Sequence, residues 1–241
     1  MSGPVLGIDT SATVCAGVAL DGVRRVGAVV PDTRAHAERL MPLVQQVVAE
    51  AGLGGLDRYQ AVAVGVGPGP FTGLRVGVVA AVTLAEALGL PVRGVCSLDV
   101  LAHQAVVAGL VTSEFVVATD ARRKEWYWAR YSVRGADTGD SPSVPSRGAT
   151  SAFGGTVPMA SGAQRVAGPF VTAPDELPDL PRVGPVTETP LELDAGVLAA
   201  IAADLPDAGL EPLYLRRPDA QVPTARKSTL LPPRLAPRRT R

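Results

Sequence analysis

The chain has 241 residues, 46% hydrophobic and 4% aromatic, with 23 basic and 23 acidic side chains. That length supports one domain or two small ones with a real core, which Val, Ala and Leu must fill because rings are scarce. The zero net charge is uneven: Arg226, Lys227, Arg234, Arg238, Arg239 and Arg241 close the chain without an acid, so the body before them holds 17 bases against 23 acids and should not grip a nucleic-acid backbone by itself.

In chain order, Val5-Leu-Gly-Ile-Asp9 reads as a buried strand ending in an acid beside Thr10 and Ser11. With Asp9 already in it, this opening is too short and polar to predict a secretory leader. Thr13 to Leu20 is a second strand, Asp21-Gly22 a hairpin turn, and Val23 to Val30 a third strand. From His36 to Ala51 the apolar residues Leu40, Leu43, Val44, Val47, Val48 and Ala51 repeat at three and four, which predicts a helix. Pro42 is expected to kink this helix or to mark where its regular part begins.

Ala61 to Val66 is a short Val-rich run, read as a buried strand. It leads into Gly65-Val-Gly-Pro-Gly-Pro-Phe-Thr-Gly-Leu-Arg-Val-Gly77 and then into a helix, with Thr72 as the expected N-cap and Gly89 with Pro91 as the stop. A loop of this kind leaves amides free at a helix N-terminus, which suits an anion or a closely approaching partner. A tight turn needing glycine only for its dihedrals is the plainer alternative. From Gly73 to Leu90 only Arg75, Thr83 and Glu86 are polar, so the helix should be covered on both sides. Gly73, Gly77, Ala81 and Ala85 recur every fourth residue, a face that lets a second helix approach closely. A partner protein is the favoured second cover, and the same chain is the alternative. No run of about 18 to 20 uninterrupted apolar residues predicts a membrane span.

Val92 to Cys96 is a further strand, and Asp99 to Leu110 a helix. Cys15 and Cys96 fall in strands, where reduced core thiols are expected, in keeping with a cytoplasmic protein. Phe115-Val-Val-Ala-Thr-Asp120 repeats the plan of Val5 to Asp9 and is followed by a strand from Trp126 to Val133, a faint sign of a second half built like the first. Gly135 to Ala163 is rich in Gly, Ser, Pro and Thr and is read as loop. Leu191 to Ala203 is a modest helix, Pro212 to Arg216 closes the fold, and a Pro- and Arg-rich tail from Val222 is expected to be disordered. The order of strands and helices predicts an α/β protein of actin-like, RNase H-like type with two lobes. The expected divisions are residues 1–100, residues 101–221 with the insertion at 135–163, and the tail at 222–241.

An acid closing the first strand beside two hydroxyls is how actin-like and sugar-kinase-like folds hold a nucleotide's phosphates, which makes Asp9, Thr10, Gly67 and Gly69 candidates for nucleotide contact. A turn aspartate is the plain alternative. Ser11 or Ser97 with His103 can be imagined as a hydrolytic set, but nothing in the spacing favours it.

Taken together, Gly7-Ile-Asp9-Thr-Ser11, His36-Ala-Glu-Arg-Leu-Met-Pro42, Gly67-Pro-Gly-Pro-Phe-Thr-Gly-Leu-Arg75, Ser97-Leu98, Asp120-Ala-Arg122 with Glu125 and Tyr127, and Tyr214-Leu-Arg216 resemble the TsaB (YeaZ-like) family. The resemblance runs in the family's order over residues 4 to 217. Pro70 is a departure, standing where the family usually has Ser, and it removes a hydroxyl and an amide donor from the loop. The resemblance implies an actin-like (ASKHA) fold and a non-catalytic scaffold for making threonylcarbamoyladenosine at position 37 of tRNAs. It implies as partners the catalytic paralogue TsaD and the P-loop ATPase TsaE, self-association through the same surface, contact with tRNA only through the complex, and ATP or ADP at most at the partner interface. Paralogues that transfer the group hold a metal with a His-x-x-x-His pair; here His36 is followed four residues later by Leu40, so neither metal nor catalytic residues are expected. The expected docking patch is Leu40, Leu43 and Val47 with Leu74, Gly77, Val78, Ala81 and Ala85. A small-molecule kinase on the same fold is the rival reading, with a glycoprotease behind it. The kinase needs a second phosphate loop, and its candidate, Asp120-Ala-Arg-Arg-Lys124, has no glycine.

Overall fold

A computed structural model describes residues 3–30, 36–133 and 162–216, with the side chains of residues 36 and 37 left aside. The basic tail, and the expected insertion up to Ser161, lie outside them. Strands β1 (Pro4–Asp9), β2 (Val14–Leu20), β3 (Val23–Val30), β4 (Ala61–Gly65) and β5 (Val92–Val95) form one sheet in the order β3-β2-β1-β4-β5. The first three are antiparallel neighbours, and β4 and β5 continue the sheet parallel to β1. Asp21 and Gly22, at φ 54° and 73°, make the left-handed two-residue turn whose twist suits the β2–β3 hairpin. β4 is buried throughout, as a parallel strand covered on both faces must be.

Helices α1 (His36–Ala51) and α2 (Phe71–Leu88) cover one face of this sheet. α1 runs unbroken past Pro42. α2 stops at Gly89, whose φ of 66° ends the helix in the left-handed conformation; its N-cap is Pro70, two residues before the expected Thr72. α2 is long and apolar enough to cross a membrane by length and composition, although Arg75 and Glu86 interrupt its apolar run. One face of it is packed as a core helix: Gly73, Leu74, Gly77, Val78, Ala81 and Ala85 are buried within the chain.

The other face of the sheet carries α4 (Ala195–Ile201), a helix from near the end of the described chain. Its seat is a row of glycines. Gly7, Gly17 and Gly27 lie side by side across β1, β2 and β3. A Cβ on Gly7 would overlap the Ala195 carbonyl oxygen, one on Gly17 the Gly196 nitrogen, and one on Gly27 the Asp194 carboxylate. Asp194 caps α4 by accepting from the Gly196 and Val197 amides, and Arg24 Nε on β3 donates to it at 2.6 Å.

Beyond α4 come α3 (Ser97–Val107) and a second sheet of β6 (Phe115–Asp120), β7 (Trp126–Val133), β8 (Ala163–Thr172) and β9 (Arg182–Val183), ordered β8-β7-β6-β9. β6, β7 and β8 are antiparallel neighbours and β9 runs parallel to β6, so the second sheet repeats the order and senses of β3-β2-β1-β4. The likeness of Phe115–Asp120 to the first strand therefore marks a repeated half. β8 and β9 themselves were not expected. Gly168 and Pro169 read as strand breakers, but β8 is an edge strand whose register slips beside Arg130, where Pro is tolerated. β9, at two residues, is too short to show a period.

One core lies between the first sheet and α1 and α2, built on Leu6, Ile8, Leu40, Val44, Val62 and Ala81. A second joins both sheets through α3 and α4, with Val95, Leu98, Leu101, Phe115, Tyr131 and Leu198 in one cluster. Packing does not divide at residue 100, because α3 runs through that position inside the shared core.

Gly17→Ala should press a methyl into the α4 backbone and lower stability by about 1 to 3 kcal/mol, read as a reduced urea midpoint. Gly52→Ala, where a Cβ meets nothing within 4 Å, should cost only the left-handed penalty of about 1 kcal/mol.

Candidate functional site

The carboxyl end of β1, the loop after β4, and the starts of α2 and α3 meet at Asp9, which is buried. Its Oδ1 accepts from the Ser11 amide at 2.7 Å and the Ser11 hydroxyl at 2.6 Å, and its Oδ2 accepts from the Ser97 hydroxyl at 2.5 Å. Ser97 Oγ in turn accepts from the Gly67 amide at 3.1 Å, while the Ser97 amide donates to the Gly67 carbonyl at 2.8 Å. Thr10 Oγ1 donates to the Gly73 carbonyl at 2.7 Å, tying β1 to the first turn of α2. The glycines make room for this closeness. A Cβ on Gly65 would overlap the Asp9 carboxylate, one on Gly69 the Ser11 carbonyl, and one on Gly77 the Thr10 hydroxyl. Tyr127 on β7 reaches the Gly69 carbonyl at 3.4 Å, so the second sheet also touches the loop.

Burial pushes the Asp9 carboxyl above its ordinary range, and the bonds from Ser11 and Ser97 pull partly back. The structure thus brings Asp9, Thr10, Gly67 and Gly69 together as the sequence suggested, but their bonds are made to one another's segments and all four are buried. In this arrangement the Asp9 carboxylate and the Thr10 hydroxyl are already bonded within the chain. Ser11 and Ser97 supply the donors to the two carboxylate oxygens.

The docking patch is corrected. Leu40, Leu43, Val47, Leu74, Gly77, Val78, Ala81 and Ala85 are all buried within the chain. The small-residue stripe of α2 faces inward, where it lets the helix close over β1 and Thr10. The outward surface of the two helices carries Met41, Gln45, Gln46 and Glu50 from α1, and Phe71, Arg75, Val79, Thr83 and Glu86 from α2, with Val79 62% exposed.

The hydroxyls of Ser11 and Ser97 both donate to Asp9. His103 lies on α3, and burial lowers its pKa. Among the described residues, no group of three or more His, Cys, Asp or Glu side chains is placed to hold a metal ion. A polar knot that the sequence did not reveal sits in the shared core: Asp99 Oδ1 accepts from Tyr131 Oη at 2.7 Å and faces Arg165 Nε at 3.5 Å. Its members come from α3, β7 and β8, so no local pattern could announce them. Beside it, burial pushes the Cys96 thiol up to about 12.

At the rim of the loop, the Phe71 ring packs at a 33° tilt against Tyr214, with centroids 4.7 Å apart, and the Arg75 guanidinium lies 4.4 Å from its centroid. Two residues on, Arg216 pairs with Glu125 at 2.6 Å and donates to the Ala121 carbonyl at 2.9 Å, which anchors the β6–β7 turn. In that turn Arg122, Arg123 and Lys124 stand in succession at φ 62°, 54° and 64°, and the Arg122 amide donates to Asp120 Oδ1. Left-handed backbone costs a residue with a side chain roughly 1 to 2 kcal/mol.

Two half-sheets of repeated topology, flanked by helices and with an acid closing the first strand, define an actin-like α/β protein. The family model described as "TsaD: tRNA N6-adenosine threonylcarbamoyltransferase" matches residues 14–227. Rv3421c of Mycobacterium tuberculosis is 44% identical over 225 residues, covering 90% of this chain and 93% of that one. The Escherichia coli tRNA threonylcarbamoyladenosine biosynthesis protein TsaB is 38% identical over 130 residues, 53% of this chain and 54% of that protein. Among solved structures, YeaZ from Pseudomonas aeruginosa matches in fold at 24% identity with a TM-score of 0.63, covering 88% of this chain and 100% of that one. The chain belongs to this threonylcarbamoyltransferase family, and within it is TsaB/YeaZ-like.

Asp9→Ala should destabilise the fold by about 1 to 3 kcal/mol by orphaning the donors of Ser11 and Ser97, whereas Asp9→Asn keeps an acceptor and should cost less. The sign with pH follows from the raised carboxyl: the folded state holds its proton more tightly than the unfolded chain. Its stability is therefore highest at acid pH and falls as pH rises from the unfolded value of 3.8 through the raised folded one. Urea melts across that range should show Asp9→Asn gaining on the parent as pH rises.

Proposed function

We propose that this chain is a non-catalytic subunit of the apparatus that places threonylcarbamoyl on adenosine 37 of tRNA. The observation that carries the reading is the sealed state of Asp9. The position where an actin-like enzyme needs an open acid for its phosphates is filled here by the chain's own serines, in a chain whose family performs threonylcarbamoyl transfer. The Escherichia coli and Haemophilus influenzae relatives are tRNA threonylcarbamoyladenosine biosynthesis proteins, which supports the pathway.

In this reading the chain works in the cytoplasm by docking a TsaD-like catalytic paralogue, with a TsaE-like ATPase joining the pair and a homodimer forming through the same face when the partner is missing. The docking face is the outward side of α1 and α2 away from the loop, where Met41 and Val79 stand exposed among polar residues. An exposed apolar set rimmed by polar groups is the usual mark of a protein contact. ATP or ADP shared at that interface belongs to the same proposal, held by groups other than the buried Asp9, Thr10, Gly67 and Gly69.

The chain, expressed in a bacterium depleted of its own TsaB, should restore threonylcarbamoyladenosine in bulk tRNA, measured by mass spectrometry of digested nucleosides. No restoration when the matching TsaD-like protein is co-expressed would refute the assignment. Val79→Glu should weaken association with that partner at least tenfold with the melting temperature unchanged, because the side chain touches no core; equal affinity would remove α2 from the interface.

A further inference from the structure

The β6–β7 turn spends three consecutive left-handed positions on Arg122, Arg123 and Lys124, all exposed. A turn with only geometry to satisfy would place Gly or Asn there, since those residues adopt positive φ at low cost. Among the described residues neither Arg122 nor Lys124 has an acidic partner, and the acids closest in sequence are engaged: Asp120 accepts from the Arg122 amide and Glu125 is held by Arg216. The turn is also fixed at its base. Arg216 grips Ala121 and Glu125, and Tyr127 of the same hairpin reaches Gly69, so the base of the hairpin is tied to the loop that opens α2.

The segment that anchors the turn also carries one of a pair of rings. Tyr214, two residues before Arg216, lies on Phe71, and Arg75 lies over Phe71 in turn. Phe71 and Tyr214 are 37% and 40% exposed. Cations and exposed rings tied to one segment suit one ligand chemistry in particular: single-stranded nucleic acid, whose phosphates meet the cations and whose bases lie on the rings. Duplex RNA offers phosphates without a free base face. Such a patch also reconciles an acidic body with a nucleic-acid contact, because the charge is local and rigidly presented rather than spread over the surface.

We propose that the Arg122–Lys124 turn and the Phe71–Tyr214 ring pair form a contact site for a single-stranded RNA loop, so that this subunit touches the tRNA directly instead of only through its partner. The choice of RNA rests on the reading under Proposed function; the site itself rests on the geometry above.

The test uses the full chain and a fluorescently labelled RNA hairpin with a seven-nucleotide loop, with a blunt duplex of equal length as control, titrated between 50 and about 200 mM salt. The chain should prefer the looped RNA, and Arg122→Asn with Lys124→Asn should lower the magnitude of the salt slope by about 1 to 1.5, as expected for two lost single-strand phosphate contacts. Asparagine accepts the left-handed backbone, so this variant keeps the fold. Tyr214→Ala should weaken binding at least fivefold with the slope unchanged. The basic tail is present in every variant and cancels from the comparison. No preference for the looped RNA, or an unchanged slope in the double variant, would overturn the proposal. So would a double variant that loses its TsaD-like partner while binding RNA as before, since the turn would then be a protein contact. Failure of the parent chain to restore threonylcarbamoyladenosine, with the RNA slope still altered by the double variant, would remove the functional reading and leave the site standing.

Discussion

One carboxylate withdrawn from water fixes where the segments of this protein meet. A buried carboxylate without donors is very costly, and Asp9 finds three donors on two residues. Ser11 lies just beyond β1, while Ser97 opens α3 and also clasps Gly67 in both directions. The loop between β4 and α2 is therefore held from β1 through Thr10, from α3 through Ser97 and from β7 through Tyr127. Each glycine around Asp9 is small because something must pass through the space a side chain would take. The loop that looked most like a ligand cradle is a closed joint of the protein itself.

This joint also explains the unusual helix beside it. α2 is apolar on nearly every side, yet its faces do different work. The small stripe closes on β1, the larger Leu74 and Val78 fill the core, and the remaining Val79 and Phe71 are left outside. Burial of the first two sets is complete within the chain. The residual outward apolar surface is what a second protein would find.

Much of the fold was legible in the sequence. The period-two and continuous Val-rich runs gave β1 to β7 to within about a residue, and the three-four repeat gave α1 with its ends, because in those segments the local pattern and the burial agree. The repeated half was visible only as a short likeness of Phe115–Asp120 to Val5–Asp9, since the rest of the second sheet departs in sequence. β8 was hidden by Gly168 and Pro169, which an edge strand tolerates. The candidate site was half legible. Which residues converge on Asp9 followed from the motifs, but whether the acid faces a ligand or a serine depends on Ser97, which is 88 residues away. The direction of the small-residue stripe was likewise invisible, because a glycine row fits a neighbouring helix or an underlying strand equally well. The buried Asp99, Tyr131 and Arg165 had no signal at all, being three isolated residues on three elements.

The row formed by Gly7, Gly17 and Gly27 has a mechanical meaning. A helix that arrives last in the chain is keyed into the first three strands at backbone-to-backbone distance, and the cluster behind it is common to both sheets. Parting the two sheets would strip Leu198 and Phe115 bare to water. Moving one sheet on the other would therefore mean unpacking that common cluster rather than flexing a hinge.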